Sequence, residues 1–235
     1  MKEPIYIKLS RIIEERIHNG IYNIKDRLPS ERDIAVAFKV SRMTVRQAIS
    51  VLEDKGIVYK ERGSGTFVKA PSFEQNNVKS FTDTVGKMGY TVKTKLLELS
   101  QVHGIKLIAE KLDLPLDAKY FKIKRLRMGN DIPMALEILY VPIQYCEGLD
   151  HYNLEDSFYQ LLEEVYDTKI NEVSYKMEAI IANPIYRKLL ELNKATALLK
   201  VTGVSIDLNG RKLFYEESIY RSDLYNYRVD IHRKF

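Results

Sequence analysis

The chain has 235 residues, 45% of them hydrophobic and 29% charged, with 11 Gly and 7 Pro; this composition packs a core and differs from that of a disordered chain. Its length suits two domains of ordinary size. No apolar run approaches the roughly 18 residues of a membrane span, and the start MKEPIYIKLS places charge where a signal peptide carries its hydrophobic stretch, so a cytoplasmic protein is expected. The single cysteine, Cys146, cannot staple a secreted domain and has no His or acidic cluster beside it, so a buried, inert thiol is expected. The net charge of +5 lies wholly within residues 1–70, while 71–235 balance. A basic segment suited to a phosphate backbone therefore precedes a neutral one suited to another task.

From Pro4, the stretch IYIKLSRIIEERIHNG aligns Ile5, Leu9, Ile12, Ile13 and Ile17 along one helical stripe, and Asn19 with Gly20 stops it. Ser30 predicts the cap of a second helix, with Asp33 in the capping-box position and Ile34, Ala35, Ala37 and Phe38 as its apolar face. Only Lys39 and Val40 separate that helix from Ser41, the cap of a third running to about Asp54. Two capped helices joined so tightly make a helix-turn-helix. The third helix puts Val45, Ala48, Ile49 and Leu52 on one side and Arg42, Met43, Arg46, Gln47 and Ser50 on the other. Arg can read guanine through O6 and N7, and Gln can read adenine through N6 and N7. Residues 57–61 and 66–69 predict two strands around a glycine-bearing turn. They form a wing whose Lys60, Arg62, Gly63, Ser64 and Gly65 meet the sugar-phosphate rail or the minor groove.

Residues 71–77, lacking apolar periodicity, predict a linker between a domain at 1–70 and a second at 78–235. In the second, a capped helix is expected from Ser80. Extended stretches follow near 92–102, 119–128, 132–141, 170–182, 197–207 and 212–221, with helices near 105–112, 155–165 and 184–192. Gly129, Asn130 and Asp131 separate one pair of strands, and Asn209 with Gly210 another. Hairpins of this kind imply a mainly antiparallel sheet with helices packed on it, an α+β fold.

The four His stand apart from any acidic or Cys neighbour at ligand spacing, and no phosphate-binding glycine loop occurs, so no metal, cofactor or catalytic residue is expected. Arg125 and Arg127 share one sheet face at period two, with Glu137 on the partner strand. Such a pair could clamp a phosphate or carboxylate, or could equally be surface charge on an edge strand.

LPSERDIAVAFKVSRMTVRQAISVLEDKGIVYKERGSGTFV resembles the winged helix-turn-helix of the GntR family of bacterial regulators across residues 4–68. The resemblance implies DNA contacts at Arg32, Ser41, Arg42, Thr44, Arg46 and Gly63 to Gly65. SFTD, RLR with DIPMALE, and YEESIYRSDLY resemble the UTRA effector-binding domain of the HutC subfamily, similar in fold to chorismate lyase. This second likeness implies a pocket of Phe81, Thr82, Arg125, Arg127, Glu137, Ser157, Tyr159 and Tyr220. In it Thr82, Arg125, Arg127, Ser157 and Tyr159 hold an anionic group, and Glu137 orients the sugar end. A carboxylate that some relatives carry on the last strand aligns with Phe214; either Glu217 replaces it or the effector lacks an amine. One recognition helix reads only a half-site, so a homodimer on a palindromic operator is expected, paired through the second domain; Arg125 and Arg127 on one face, with the family positions Thr82, Ser157 and Tyr159, point to a repressor released by a phosphorylated sugar or amino sugar. The alternative is a lyase-like enzyme with an accessory DNA-binding module.

Overall fold

The computed structural model describes residues 3–69, 80–87, 90–225 and 227. The linker expected at 71–77 lies outside them. The chain divides into two compact units, Met1–Ser72 and Phe73–Phe235.

The first unit holds helices α1 (Ile5–His18), α2 (Glu31–Phe38) and α3 (Arg42–Asp54), then a two-stranded antiparallel hairpin of β1 (Val58–Glu61) and β2 (Gly65–Val68). Leu9, Ile13 and Ile17 of α1 join Ile34 of α2 and Val45, Ala48, Ile49 and Leu52 of α3 in one core. Both caps form as the sequence predicts: Ser30 Oγ accepts from the Asp33 N–H at 3.2 Å, and Ser41 Oγ from the Thr44 N–H at 3.1 Å. Between them Lys39 takes the left-handed conformation (φ 52) that ends α2 and makes the tight turn. Two expected core residues are instead exposed. Ile5 lies in the opening turn of α1 and is 64% exposed, and Ala37 lies about 60° outside the arc that Ile34, Phe38 and Ala35 span on α2.

The second unit is an α+β domain. Its elements are α4 (Phe81–Lys87), β3 (Val92–His103), α5 (Lys106–Leu112), β4 (Lys119–Gly129), β5 (Ile132–Pro142), α6 (Phe158–Tyr166), β6 (Ile170–Ile181), α7 (Pro184–Leu189), β7 (Ala197–Asp207) and β8 (Lys212–Arg221). The six strands form one antiparallel sheet in the order β3-β4-β5-β8-β7-β6. Asn130 and Asp131, both left-handed (φ 50 and 64), make the two-residue turn between β4 and β5. At the β7–β8 turn the Asp207 carboxylate accepts the N–H groups of Asn209 and Arg211, each at 2.9 Å. Helices α6 and α7 are shorter than expected, because Ser157 caps α6 so that it begins at Phe158, and α7 ends at Leu189. β4 is an interior strand, which removes the edge-strand reading of its two arginines. Among the described residues no helix is long and apolar enough to cross a membrane.

Candidate nucleic-acid interface and ligand site

Helix α3 buries its apolar side and leaves Arg42, Met43, Arg46, Gln47 and Ser50 exposed, as the periodicity requires. Arg32 of α2 is also exposed, and Ser41 and Thr44 share a hydrogen bond of 2.9 Å between their hydroxyls at the start of α3. Arg46 Nε donates to Glu31 Oε2 at 2.7 Å, and Lys60 Nζ to Glu53 Oε2 at 2.9 Å, so both cations are held by exposed carboxylates. The wing turns at Arg62 to Ser64, with Gly63 (φ 80) and Gly65 (φ 126) in conformations that L side chains rarely adopt. A Cβ on Gly65 would stand 2.7 Å from Nε of Arg27, a residue that no sequence motif singles out. Arg27, Lys60, Arg62 and Gly65 line a groove of about 400 Å³ with the start of α2. A basic, glycine-turned wing beside a capped helix that bears two exposed arginines can grip a phosphate backbone and reach base edges.

In the second unit the strand register sets Arg125 directly across from Glu137, while Arg127 pairs with Ala135. A bulge follows at once: Met128 pairs with Pro133, leaving Met134 as the extra residue. Both arginines are buried, at 1% and 2% exposure, which rules out surface charge. Their commitments differ. Arg125 donates from Nε to Glu137 Oε2 at 2.6 Å, pairs with the same oxygen through Nη2, and donates from Nη1 to the carbonyls of Leu154 and Asp156, each at 3.1 Å. Arg127 donates from Nη2 to Thr82 Oγ1 at 2.9 Å and stacks over the Phe81 ring at 4.7 Å, but its Nε has no partner. The two arginines of the expected clamp therefore differ: every nitrogen of Arg125 is committed to the protein, whereas Arg127, whose Nη1 lies 3.6 Å from Glu137 Oε2, keeps a buried free donor at Nε.

Ser80 builds the platform for these contacts. Its hydroxyl donates to Asp83 Oδ2 at 2.7 Å and accepts from the Asp83 N–H at 3.0 Å, capping α4 and fixing Phe81 and Thr82 against Arg127. Burial pulls Arg127 down to about 10, against the pull of Glu137, so it stays cationic at neutral pH. Burial pushes Glu137 up, but Arg125 and Arg127 outweigh it and hold the carboxyl below its ordinary range.

Arg125, Arg127, Glu137, Tyr159 and Tyr220 line one cavity, together with Phe81. Its volume is about 20 Å³, room for a single water. Thr82 and Ser157 line a neighbouring cavity of about 440 Å³; Ser157 Oγ is taken up in capping α6, so it is not brought into the group around Arg127. Glu217 is a correction. It points to the opposite face of β8 and pairs with Lys200 at 3.0 Å, because adjacent strand residues alternate faces. The carboxylate that lines the cavity is Glu216, which shares the face of Phe214, Ser218 and Tyr220. Phe214 is fully buried, edge-on to Phe158 at 5.3 Å. Sequence reasoning also missed Tyr175, Tyr225 and Tyr227, which close the cavity with Tyr220; Tyr220 and Tyr225 stack at 4.2 Å. Among the described residues no group of three or more His, Cys, Asp or Glu could hold a metal. Cys146 is buried, and burial raises its thiol to about 12.

Comparison with known proteins follows the same division. Residues 5–68 match the family described as bacterial regulatory proteins, gntR family, and residues 87–226 match the UTRA domain. The HTH-type transcriptional repressor NagR of Bacillus subtilis (strain 168) is 31% identical over 226 residues, covering 95% of this chain and 93% of that one. A probable fructoselysine utilization operon transcriptional repressor of Escherichia coli (strain K12) is 25% identical over 229 residues, covering 96% and 94%. The mannosyl-D-glycerate transport/metabolism system repressor MngR of the same organism is 25% identical over 234 residues, covering 99% and 98%. In fold the chain is similar to the crystal structure of PhnF from Mycobacterium smegmatis, with a TM-score of 0.77 at 24% identity, covering 98% of this chain and all of that one.

Proposed function

The chain belongs to the GntR family of bacterial regulatory proteins and carries a UTRA domain, and from that premise we propose that it is a repressor released from its operator by a phosphorylated sugar or amino sugar. Membership makes it a DNA-binding transcriptional regulator rather than an enzyme, and the lyase-like alternative falls with that. The observation that carries the effector reading is the unpartnered, buried Nε of Arg127 in a cavity walled by tyrosines. A phosphate brings about 1.5 to 2 negative charges and several strong acceptors, which suit a cationic donor with a free N–H. Relatives named as repressors of fructoselysine and mannosyl-D-glycerate systems agree with a sugar-derived ligand.

In this reading the protein works in the cytoplasm as a homodimer joined through its second domain, because one recognition helix reads a half-site and a two-fold dimer meets an inverted repeat. Arg32, Ser41, Arg42, Thr44, Arg46 and Gln47 then face the major groove, and Lys60, Arg62 and Gly63 to Gly65 the flanking backbone. The effector prefers a dimer whose recognition helices no longer match the half-site spacing; equal affinity for both states would shift nothing. The test is selection of bound duplexes from random DNA, followed by anisotropy of the recovered duplex with a panel of hexose and hexosamine phosphates. An inverted repeat released by a phosphorylated sugar is expected. Failure to recover an inverted repeat, or release by none of the panel, overturns the proposal.

A further inference from the structure

We propose that Arg27 is a further DNA contact and that it takes one backbone phosphate of the operator into the groove between the wing and the start of α2. The inference rests on the DNA-binding reading above and adds a residue outside the expected contact set.

The backbone ties Arg27 to the wing. Residues 25–28 run antiparallel along the free edge of β2, with Arg27 bridged to Phe67. Lys25 N–H donates to the Val68 carbonyl at 2.9 Å, Val68 N–H to the Asp26 carbonyl at 2.9 Å, and Leu28 N–H to the Thr66 carbonyl at 2.8 Å. The segment before α2 is thus a third strand of the hairpin, and its side chains are placed by the wing. Opposite residues of an antiparallel pair share a face, as do alternate residues of one strand, so Arg27 stands on the face of Phe67 and Gly65.

The side chain lies over bare backbone. A Cβ on Gly65 would stand 2.7 Å from Arg27 Nε and 3.3 Å from Nη2, so the absent side chain is what leaves room for the guanidinium against the wing. The groove it enters, about 400 Å³, is ample for a phosphodiester unit, and Lys60, Arg62 and Gly63 of the wing line it too.

The charges around this groove are unequally engaged. Lys60 is held by Glu53, and Glu31 is occupied by Arg46. Arg27 and Arg62 are exposed, and among the described residues neither guanidinium has a hydrogen bond, an ion pair or a ring partner. Two uncommitted arginines therefore face one carboxylate, that of Glu61, and the balance is positive. A side chain that braced the wing would spend its donors on the protein. A guanidinium held in place with its N–H groups free can meet a phosphate with two parallel bonds.

The experiment is fluorescence anisotropy of the full chain on the selected inverted repeat and on random duplex, between about 50 and 200 mM salt, for wild type, Arg27→Gln and Arg27→Lys. Arg27→Gln is expected to lose roughly fivefold or more on both duplexes and to lower the slope of log affinity against log salt by about 0.9 per protomer bound. Arg27→Lys, which keeps the charge, is expected to keep the slope. Repeats carrying one uncharged methylphosphonate at a time then locate the contact: one such substitution is expected to weaken wild type and leave Arg27→Gln unaffected. Melting temperatures are expected to agree, because the side chain is exposed. An unchanged slope for Arg27→Gln makes Arg27 a solvated side chain, and a variant that melts early or fails to fold makes it a brace. Either result, or a scan in which every methylphosphonate weakens both proteins alike, overturns the proposal while the DNA-binding reading stands. If wild type selects no inverted repeat, the operator reading falls, and the slope on random duplex still decides the role of Arg27.

Discussion

Arg46 on the recognition helix is held by Glu31 of the preceding helix, Nε to Oε2 at 2.7 Å, with both side chains at the surface. An exposed pair of this kind contributes about 0 to 1 kcal/mol to stability, so the fold does not depend on it. Glu31 holds the guanidinium near the start of α3, and on the proposed reading DNA competes for it. Arg46→Ala is expected to cost roughly 1 to 3 kcal/mol on the selected operator and to relax the choice of base at one position, with thermal stability nearly unchanged. Lys60→Ala is expected to weaken all sequences alike and to lower the salt slope. Titrations on operator and random duplexes at several salt concentrations separate the two; equal loss on both duplexes for Arg46→Ala would remove it from base reading.

The two buried arginines are expected to fail differently. Arg125→Ala leaves Glu137 without its principal partner and is expected to cost about 3 to 5 kcal/mol of stability. Arg127→Ala leaves the Arg125–Glu137 pair in place, removing only the longer 3.6 Å contact of Arg127 Nη1 with Glu137 Oε2, and is expected to abolish sugar-phosphate binding while the domain still folds. Chemical denaturation and calorimetry on each variant check this. An Arg127→Ala protein that binds the phosphorylated ligand as wild type does refutes the assignment.

Gly203→Ala tests the seat of Tyr175. The new methyl meets the ring at 2.5 Å and the Ser174 carbonyl at 2.9 Å, and overpacking of this sort costs typically about 1 to 3 kcal/mol. A lower melting temperature is expected, together with weaker effector binding because the aromatic wall has moved. An unchanged melting temperature would mean that the ring has another place to go.

Stability should fall as pH rises toward neutrality. Glu216 has a folded-state value raised to about 7 by burial and by Glu137, above its unfolded value, so the native state binds the extra proton between roughly pH 4.5 and 7. Its contribution is complete below the unfolded value and is lost as pH rises through the folded one. Glu137, held low by the arginines, acts in the other direction and only in the acid range. Denaturation midpoints from pH 5 to 8 should decline for wild type and flatten for Glu216→Gln. Parallel curves would assign the decline to other groups.

Much of this was legible in the sequence because hydrophobic period and turn residues agree. Asn130 with Asp131, and Asn209 with Gly210, bracket the strands they join, and the face division of α3 follows from the spacing of Val45, Ala48, Ile49 and Leu52. The misplacement of Glu217 was avoidable: Tyr220 lies on the cavity face, and counting back by two reaches Ser218 and Glu216, never Glu217. The unequal arginines were not avoidable. What separates them is the pair of carbonyls at Leu154 and Asp156 and the hydroxyl of Thr82, about thirty and forty-five residues away in sequence, and no local pattern announces such partners. Tyr175, Tyr225 and Tyr227 likewise belong to no motif and meet only through the sheet order and the chain that follows β8.

The water-sized cavity around Arg127 also sets a clock. On the proposed reading, a sugar phosphate cannot enter a space of about 20 Å³ until the surrounding tyrosines part, so the apparent affinity is the intrinsic one reduced by the fraction of molecules that are open. When opening precedes entry and is slow, the approach to equilibrium stops accelerating as ligand is added and levels at the opening rate. Stopped-flow tyrosine fluorescence should show that plateau, and widening the wall with Tyr227→Ala should raise it. On that reading the response time of the switch is written in the aromatic wall, and beyond the plateau more metabolite brings no faster response.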